Sequence, residues 1–154
     1  MTNTLYDLTP AFNTGNIALD ATLSTKKALA ESKGILFETE IRLAGKLPLQ
    51  PEDTCVIFGN ALDNAIEGCA RVHDRPQRIA LTLVQVKDHI LCEITNTAIL
   101  QAISTETTSK QDTLNHGFGL TNLKESLAKY GSSPEIVWEN GAFSLSFTLY
   151  IDHE

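Results

Sequence analysis

The residues that first suggest chemistry are two carboxamides and a carboxylate at helical spacing. In the segment Gly59-Asn60-Ala61-Leu62-Asp63-Asn64-Ala65-Ile66-Glu67-Gly68, a turn of about 100° per residue puts Asn60, Asn64 and Glu67 on one narrow stripe. The stripe runs beside an apolar arc of Ile57, Ala61, Ala65 and Cys69, so the polar groups edge a core. Carboxamide oxygens are neutral ligands suited to a hard cation such as Mg²⁺, which keeps several waters and takes further ligands from phosphates. A solvated helix edge carrying asparagines fits the same spacing, and the stripe alone does not separate the two readings.

A second group is His116-Gly117-Phe118-Gly119-Leu120-Thr121-Asn122-Leu123, where two glycines lead from a polar loop into a helix start. Glycines let backbone amides approach an anion, and a helix N-terminus adds unpaired N–H groups and a favourable dipole. The same glycines also serve as simple loop caps, and the segment does not directly follow a strand, which argues against a dinucleotide fingerprint. The third candidate is Asn96. It shares strand parity with Ile90, Cys92 and Ile94, and so projects from their apolar face, where a polar group needs a partner. Its acceptor and donor could meet the amino group and ring nitrogen of adenine; a turn asparagine ending a strand is the alternative.

These groups need elements to position them. Asn16 to Ser32 carries apolar positions at Ile17, Leu19, Leu23, Ala28 and Leu29 and stops at Gly34, which predicts a first helix. Ile35 to Arg42 reads as a strand, and Pro51 followed by acidic residues starts a second helix running to about Ala70. Arg78 to Val86 and His89 to Asn96 are strands separated by Lys87 and Asp88, the spacing of a tight antiparallel hairpin. From Thr97 to His116 the apolar pattern fades, which predicts a mobile lid. Gly119 to Tyr130 is a third helix ending at Gly131. Glu135 to Glu139, Asn140-Gly141 and the alternating run through Phe143, Leu145, Phe147, Leu149 and Ile151 form a second hairpin. The expected fold is α+β: a two-layer α/β sandwich with a mixed, mostly antiparallel sheet and three helices on one face.

Bulk properties narrow the function classes. A chain of 154 residues fits one domain with its own core. The formal net charge of -7 disfavours nucleic acid as a partner. No apolar run is long enough to span a bilayer and the N-terminus lacks a signal-peptide pattern, so no membrane contact is expected from this stretch. Cys55, Cys69 and Cys92 sit in apolar patterns without CxxC spacing and read as reduced core residues of a cytoplasmic protein; the scattered histidines give no zinc-ligand pattern.

In this order, the three groups resemble the N box, a reduced first glycine box and the second glycine box of GHKL ATPases. The similarity is closest to sensor histidine kinases of the accessory-gene-regulator type, and it extends over nearly the whole chain from about Thr14, including Thr14-Gly15-Asn16 to Lys27 and Gly34-Ile35. The resemblance implies a Bergerat-type fold binding ATP and Mg²⁺. It makes Asn64 the metal ligand, Asn60 the polar residue near the phosphates, and Asn96 the residue at the adenine site. Asn96 stands where most of these kinases have an aspartate, and Thr97-Ala98-Ile99 follows without the usual glycines, a departure the subgroup shares. Lys110, after Thr108-Ser109, is similar to a lid residue available to a phosphate. Gly117, Phe118, Gly119 and Leu120 correspond to the second glycine box.

By this resemblance the chain is expected to transfer the ATP γ-phosphate to a histidine on a helical hairpin domain and then to serve a response regulator. The acceptor imidazole is itself the nucleophile, so Asn60 or Glu67 has only an orienting catalytic role. No histidine precedes His73, and residues 1–13 are too short for such a hairpin, so that stretch is expected to be a linker remnant and residues 14–154 the catalytic domain, as a truncation or a stand-alone module. A serine kinase of the anti-sigma type and a non-catalytic, nucleotide-gated binding module are the competing expectations.

Overall fold

The computed structural model describes residues 12–99 and 118–151. The expected lid from Thr97 to His116 falls almost wholly outside them, as do Lys110, Gly117 and the first eleven residues of the expected linker. The described chain runs α1 (Ile17–Ser32), β1 (Leu36–Arg42), α2 (Pro51–Ala70), β2 (Arg78–Val86), β3 (His89–Thr97), α3 (Phe118–Ala128), β4 (Glu135–Glu139) and β5 (Ala142–Tyr150). The five strands form one sheet in the order β1-β2-β3-β5-β4. β1 pairs with β2 in parallel, and the other pairings are antiparallel.

Strand alternation decides which face is covered. Ile79, Leu81 and Leu83 of β2, Ile90, Cys92 and Ile94 of β3, and Phe143, Leu145, Phe147 and Leu149 of β5 are all buried on one side. The register sets them in rows, with Leu81 opposite Ile94, Ile94 opposite Leu145, and Cys92 between Leu83 and Phe147. α2 lies over these rows, burying Ile57, Phe58, Ala61, Leu62, Ala65, Ile66 and Cys69, and α1 and α3 pack on its flanks. Phe58 meets Phe147 edge to face at 5.9 Å between ring centroids. The opposite face of the sheet carries Thr82, Glu93, Thr95, Ser144, Ser146 and Thr148, with no helix over it among the described residues.

Turn chemistry ends the elements where the sequence places glycine. Gly34 and Gly131 have φ of 79° and 73°, and each closes its helix with paired backbone bonds, from Ile35 N–H to the Ala30 carbonyl and from Ser132 N–H to the Leu127 carbonyl. Asn140 and Gly141, both at positive φ, turn β4 into β5. At its far end α2 is tied to the end of α3: Asp53 accepts from Lys129 Nζ at 2.9 Å and from the Tyr130 hydroxyl, which itself accepts from Gln50 N–H at 3.1 Å. α3 therefore runs back along α2, its C-terminus at Asp53.

Three expectations need correction. Cys55 is exposed, its thiol 3.7 Å from Thr22 Oγ1 on the outer flank of α2; only Cys69 and Cys92 are core. Ile17, at 86 % exposure, and Leu29 lie off the buried stripe of α1, which is Leu19, Leu23 and Ala30. β3 continues through Thr97, and Ala98 is buried with its N–H bonded to the Gly141 carbonyl at 2.8 Å, so any polar loop begins after these residues.

Candidate nucleotide site

The polar stripe of α2 faces two separate glycine contacts. At one end, Gly119 in the first turn of α3 packs on Asn60 so closely that an added Cβ would stand 3.0 Å from Asn60 Oδ1 and 3.3 Å from its Cγ. At the other end, a Cβ added at Gly68 would stand 2.5 Å from Asn96 Nδ2, nearer than non-bonded atoms come. Asn60 and Gly68 are eight residues apart, about 12 Å along the helix. Asn64 lies between them on the same side, about 40° round from Asn60.

Burial grades along the stripe. Asn60 and Asn64 are half-buried at the rim of the helix layer, Glu67 is exposed, and Leu120, which follows Gly119 in α3, is buried. Among the described residues, no hydrogen bond engages the side chain of Asn60, Asn64 or Glu67, so both carboxamides keep their ligand capacity. Asn96 is 2 % exposed and lies on the helix-covered side. Its Nδ2 donates to the Thr97 carbonyl at 2.8 Å, which fixes the orientation of the amide because an oxygen could not make that contact. No donor among the described residues reaches Asn96 Oδ1.

The structure thus gathers Asn60, Asn64, Asn96, Gly119 and Leu120 on one side of the helix layer, with Glu67 at its solvent edge. Lys110 and Gly117 lie outside the described residues, and of Phe118 only the backbone is described, as the first residue of α3. Two neighbours were not singled out from the sequence. Gly68 was visible only as the end of the motif, although its helical angle places it on the Asn64 side. Lys26 of α1 reaches Asp63 at 2.7 Å beside the stripe, a contact across 37 positions that no local pattern announces. A cavity of about 560 Å³ lies elsewhere, on the uncovered sheet face between Glu93, Ser132, Glu135 and Ser146, and none of the motif residues lines it.

The donor set suits a hydrated hard cation better than a transition metal: it offers carboxamide oxygens, and no cluster of three His, Cys, Asp or Glu occurs among the described residues. Burial pushes the thiols of Cys92 and Cys69 up, away from the thiolate form. No described helix is long and apolar enough to cross a membrane.

A family model described as the GHKL domain matches residues 49–150. Sequence comparison with curated proteins yields no match. Among solved structures, the chain is similar to the catalytic domain of histidine kinase ThkA in a nucleotide-free form, with a TM-score of 0.70 and 13 % identity over 90 % of this chain and 92 % of that one. It is also similar to the Acinetobacter baumannii histidine kinase AdeS, with a TM-score of 0.68 and 9 % identity over 89 % of this chain and 64 % of that one. A third similar structure is a mycobacterial sensor histidine kinase, MprB, at a TM-score of 0.60 and 18 % identity over 86 % of this chain and 93 % of that one. Identities this low carry the fold and nothing finer.

Proposed function

The chain belongs to the GHKL domain family, and on that premise we propose that it is the ATP-binding catalytic domain of a two-component sensor histidine kinase of the accessory-gene-regulator type. Residues 14–154 are the catalytic unit, residues 1–13 a linker, and the setting is the cytoplasm. The observation that carries the reading is the pair of side-chain-free approaches, Gly119 on Asn60 and Gly68 on Asn96, at the two ends of one helix stripe. They suit a ligand with an anionic end and a hydrogen-bonding planar end.

Asn96 meets the adenine. With Nδ2 committed to the Thr97 carbonyl, Oδ1 is its acceptor for an exocyclic amine, and a 6-oxo purine would present an acceptor there instead. At the other end the backbone of Gly119, in the first turn of α3, brings the partial positive charge of a helix start to the phosphates. By their likeness to the second glycine box, Gly117, Phe118, Gly119 and Leu120 are assigned to the phosphate end, and Lys110 is assigned to add an ammonium there. Asn64 is the residue that would hold Mg²⁺, whose chemistry there would be neutralisation of phosphate charge. Asn60 or Glu67 orients the incoming group. Phosphoryl transfer asks mainly for alignment and charge neutralisation, and the acceptor imidazole supplies the nucleophile.

The partners are the histidine-bearing dimerisation domain of the same kinase and a response regulator. The test is transfer from γ-labelled ATP to a separately supplied histidine-hairpin domain. An acid-labile, base-stable label on that domain is the expected result. No transfer alongside normal ATP binding would leave a nucleotide-gated binding module, and an acid-stable label on a serine would mark the serine-kinase reading.

A further inference from the structure

Arg75, in the loop between α2 and β2, reaches both the residue that follows β3 and the turn between β4 and β5. Arg75 donates through Nη2 to the Ala98 carbonyl and, at 3.1 Å, to the Gly141 carbonyl, while Nη1 pairs with Asp74 at 2.9 Å. The side chain is 29 % exposed, so these bonds are largely shielded from water. The Gly141 carbonyl is also the acceptor of Ala98 N–H at 2.8 Å. Arg75, Ala98 and Gly141 therefore close a ring of hydrogen bonds across segments 23 and 66 residues away from the arginine in sequence.

The ring acts on Asn96 through one peptide plane. The carbonyl of Thr97 and the N–H of Ala98 belong to the same planar unit and point in opposite directions. Holding Ala98 N–H on Gly141 turns the Thr97 carbonyl back toward Asn96, whose Nδ2 donates to it at 2.8 Å. The Thr97 side chain steadies the same residue, its hydroxyl accepting from Arg78 N–H at 3.0 Å. The amide of Asn96 is thus clamped between the Thr97 carbonyl and the bare Cα of Gly68.

We infer that Arg75 is a positioning residue for nucleobase selection: it sets the Thr97-Ala98 peptide, and through it the direction in which Asn96 presents Oδ1. The inference rests on the reading of Asn96 as the adenine contact. Among the described residues the Arg75 guanidinium bonds Asp74, Ala98 and Gly141, and the phosphate end at Asn60 and Gly119 lies at the other end of the α2 stripe. The base end and the phosphate end of a nucleotide should therefore respond differently to its loss. A merely structural role would weaken both together.

The experiment uses the full chain, with affinities for ADP, GDP and tripolyphosphate measured in Mg²⁺ for the unaltered protein, Arg75→Met and Arg75→Lys, and with thermal melts as the check on folding. Losing the charged donor is expected to weaken ADP by about ten-fold. The preference for ADP over GDP narrows with it, and tripolyphosphate affinity stays unchanged. Arg75→Lys keeps a cation but lacks the planar fork needed to bridge two carbonyls, so about a three-fold loss is expected. If Arg75→Met does not fold, the lysine variant decides by the same split. Equal losses for ADP and tripolyphosphate, or no loss of ADP in a folded variant, overturn the positioning role while leaving the nucleotide site standing. Failure of the unaltered chain to bind ADP overturns both.

Discussion

Replacing Gly68 by alanine sets two opposed effects against each other at one atom. In a helix interior, alanine is favoured over glycine by about 1 kcal/mol. Here the new Cβ would stand 2.5 Å from Asn96 Nδ2 and 3.4 Å from its Cγ, so the amide has to swing away. That movement gives up the bond to the Thr97 carbonyl, about 1 kcal/mol net, and adds about 1–3 kcal/mol of overcrowding. The balance is a destabilisation of about 1–3 kcal/mol where helix propensity alone would give a gain. In an Asn96→Ala background the obstacle is gone, and Gly68→Ala should stabilise by about 1 kcal/mol. Urea unfolding of the four proteins of the cycle measures the coupling directly, expected at about 2 kcal/mol or more. Additive effects, agreeing within about 0.5 kcal/mol, would mean that Asn96 does not lie against Gly68 and would remove the basis for the base site.

Other expectations follow from single contacts. Gly119→Ala places a Cβ 3.0 Å from Asn60 Oδ1, and calorimetry should read a several-fold loss of nucleotide affinity; unchanged affinity would separate Gly119 from the site. The Tyr130 hydroxyl and then Lys129 hold the Asp53 carboxyl below the usual carboxylate range. Its stabilisation is therefore complete above about pH 4 and is lost as pH falls through the depressed value. Tyr130→Phe should shrink that contribution and shift the acid-unfolding midpoint upward, and an unmoved midpoint counts against the tie between α2 and α3. In the native protein a thiol reagent should modify Cys55 quickly and leave Cys69 and Cys92 until unfolding; rapid reaction at all three would contradict the buried positions of the latter two.

The elements were legible because their signals are local. The alternation from Phe143 to Leu149 and the Asn140-Gly141 turn define a hairpin wherever they occur, and strand parity alone assigned Asn96 to the covered face. Helical spacing likewise put Asn60 and Asn64 on one rim. What stayed hidden depends on groups far apart in the chain. Nothing near Arg75 announces that its guanidinium closes on Ala98 and Gly141, and nothing near Gly68 announces the amide packed on it from 28 positions away. Cys55 was misread because its neighbours Val56 and Ile57 are apolar, yet the helix turns it outward past the flank of α1. Composition cannot resolve a turn of one residue at a helix edge.

In the proposed site, one side of the helix layer binds a nucleotide with its metal at Asn64. Calorimetry of ATP and ADP, with and without Mg²⁺, on the unaltered chain and on Asn64→Ala tests it most directly. Micromolar to millimolar binding that strengthens with Mg²⁺, and that loses this dependence in Asn64→Ala, is the expected result. Binding by neither protein under any condition, or a Mg²⁺ dependence that survives the substitution intact, would contradict the site as assigned.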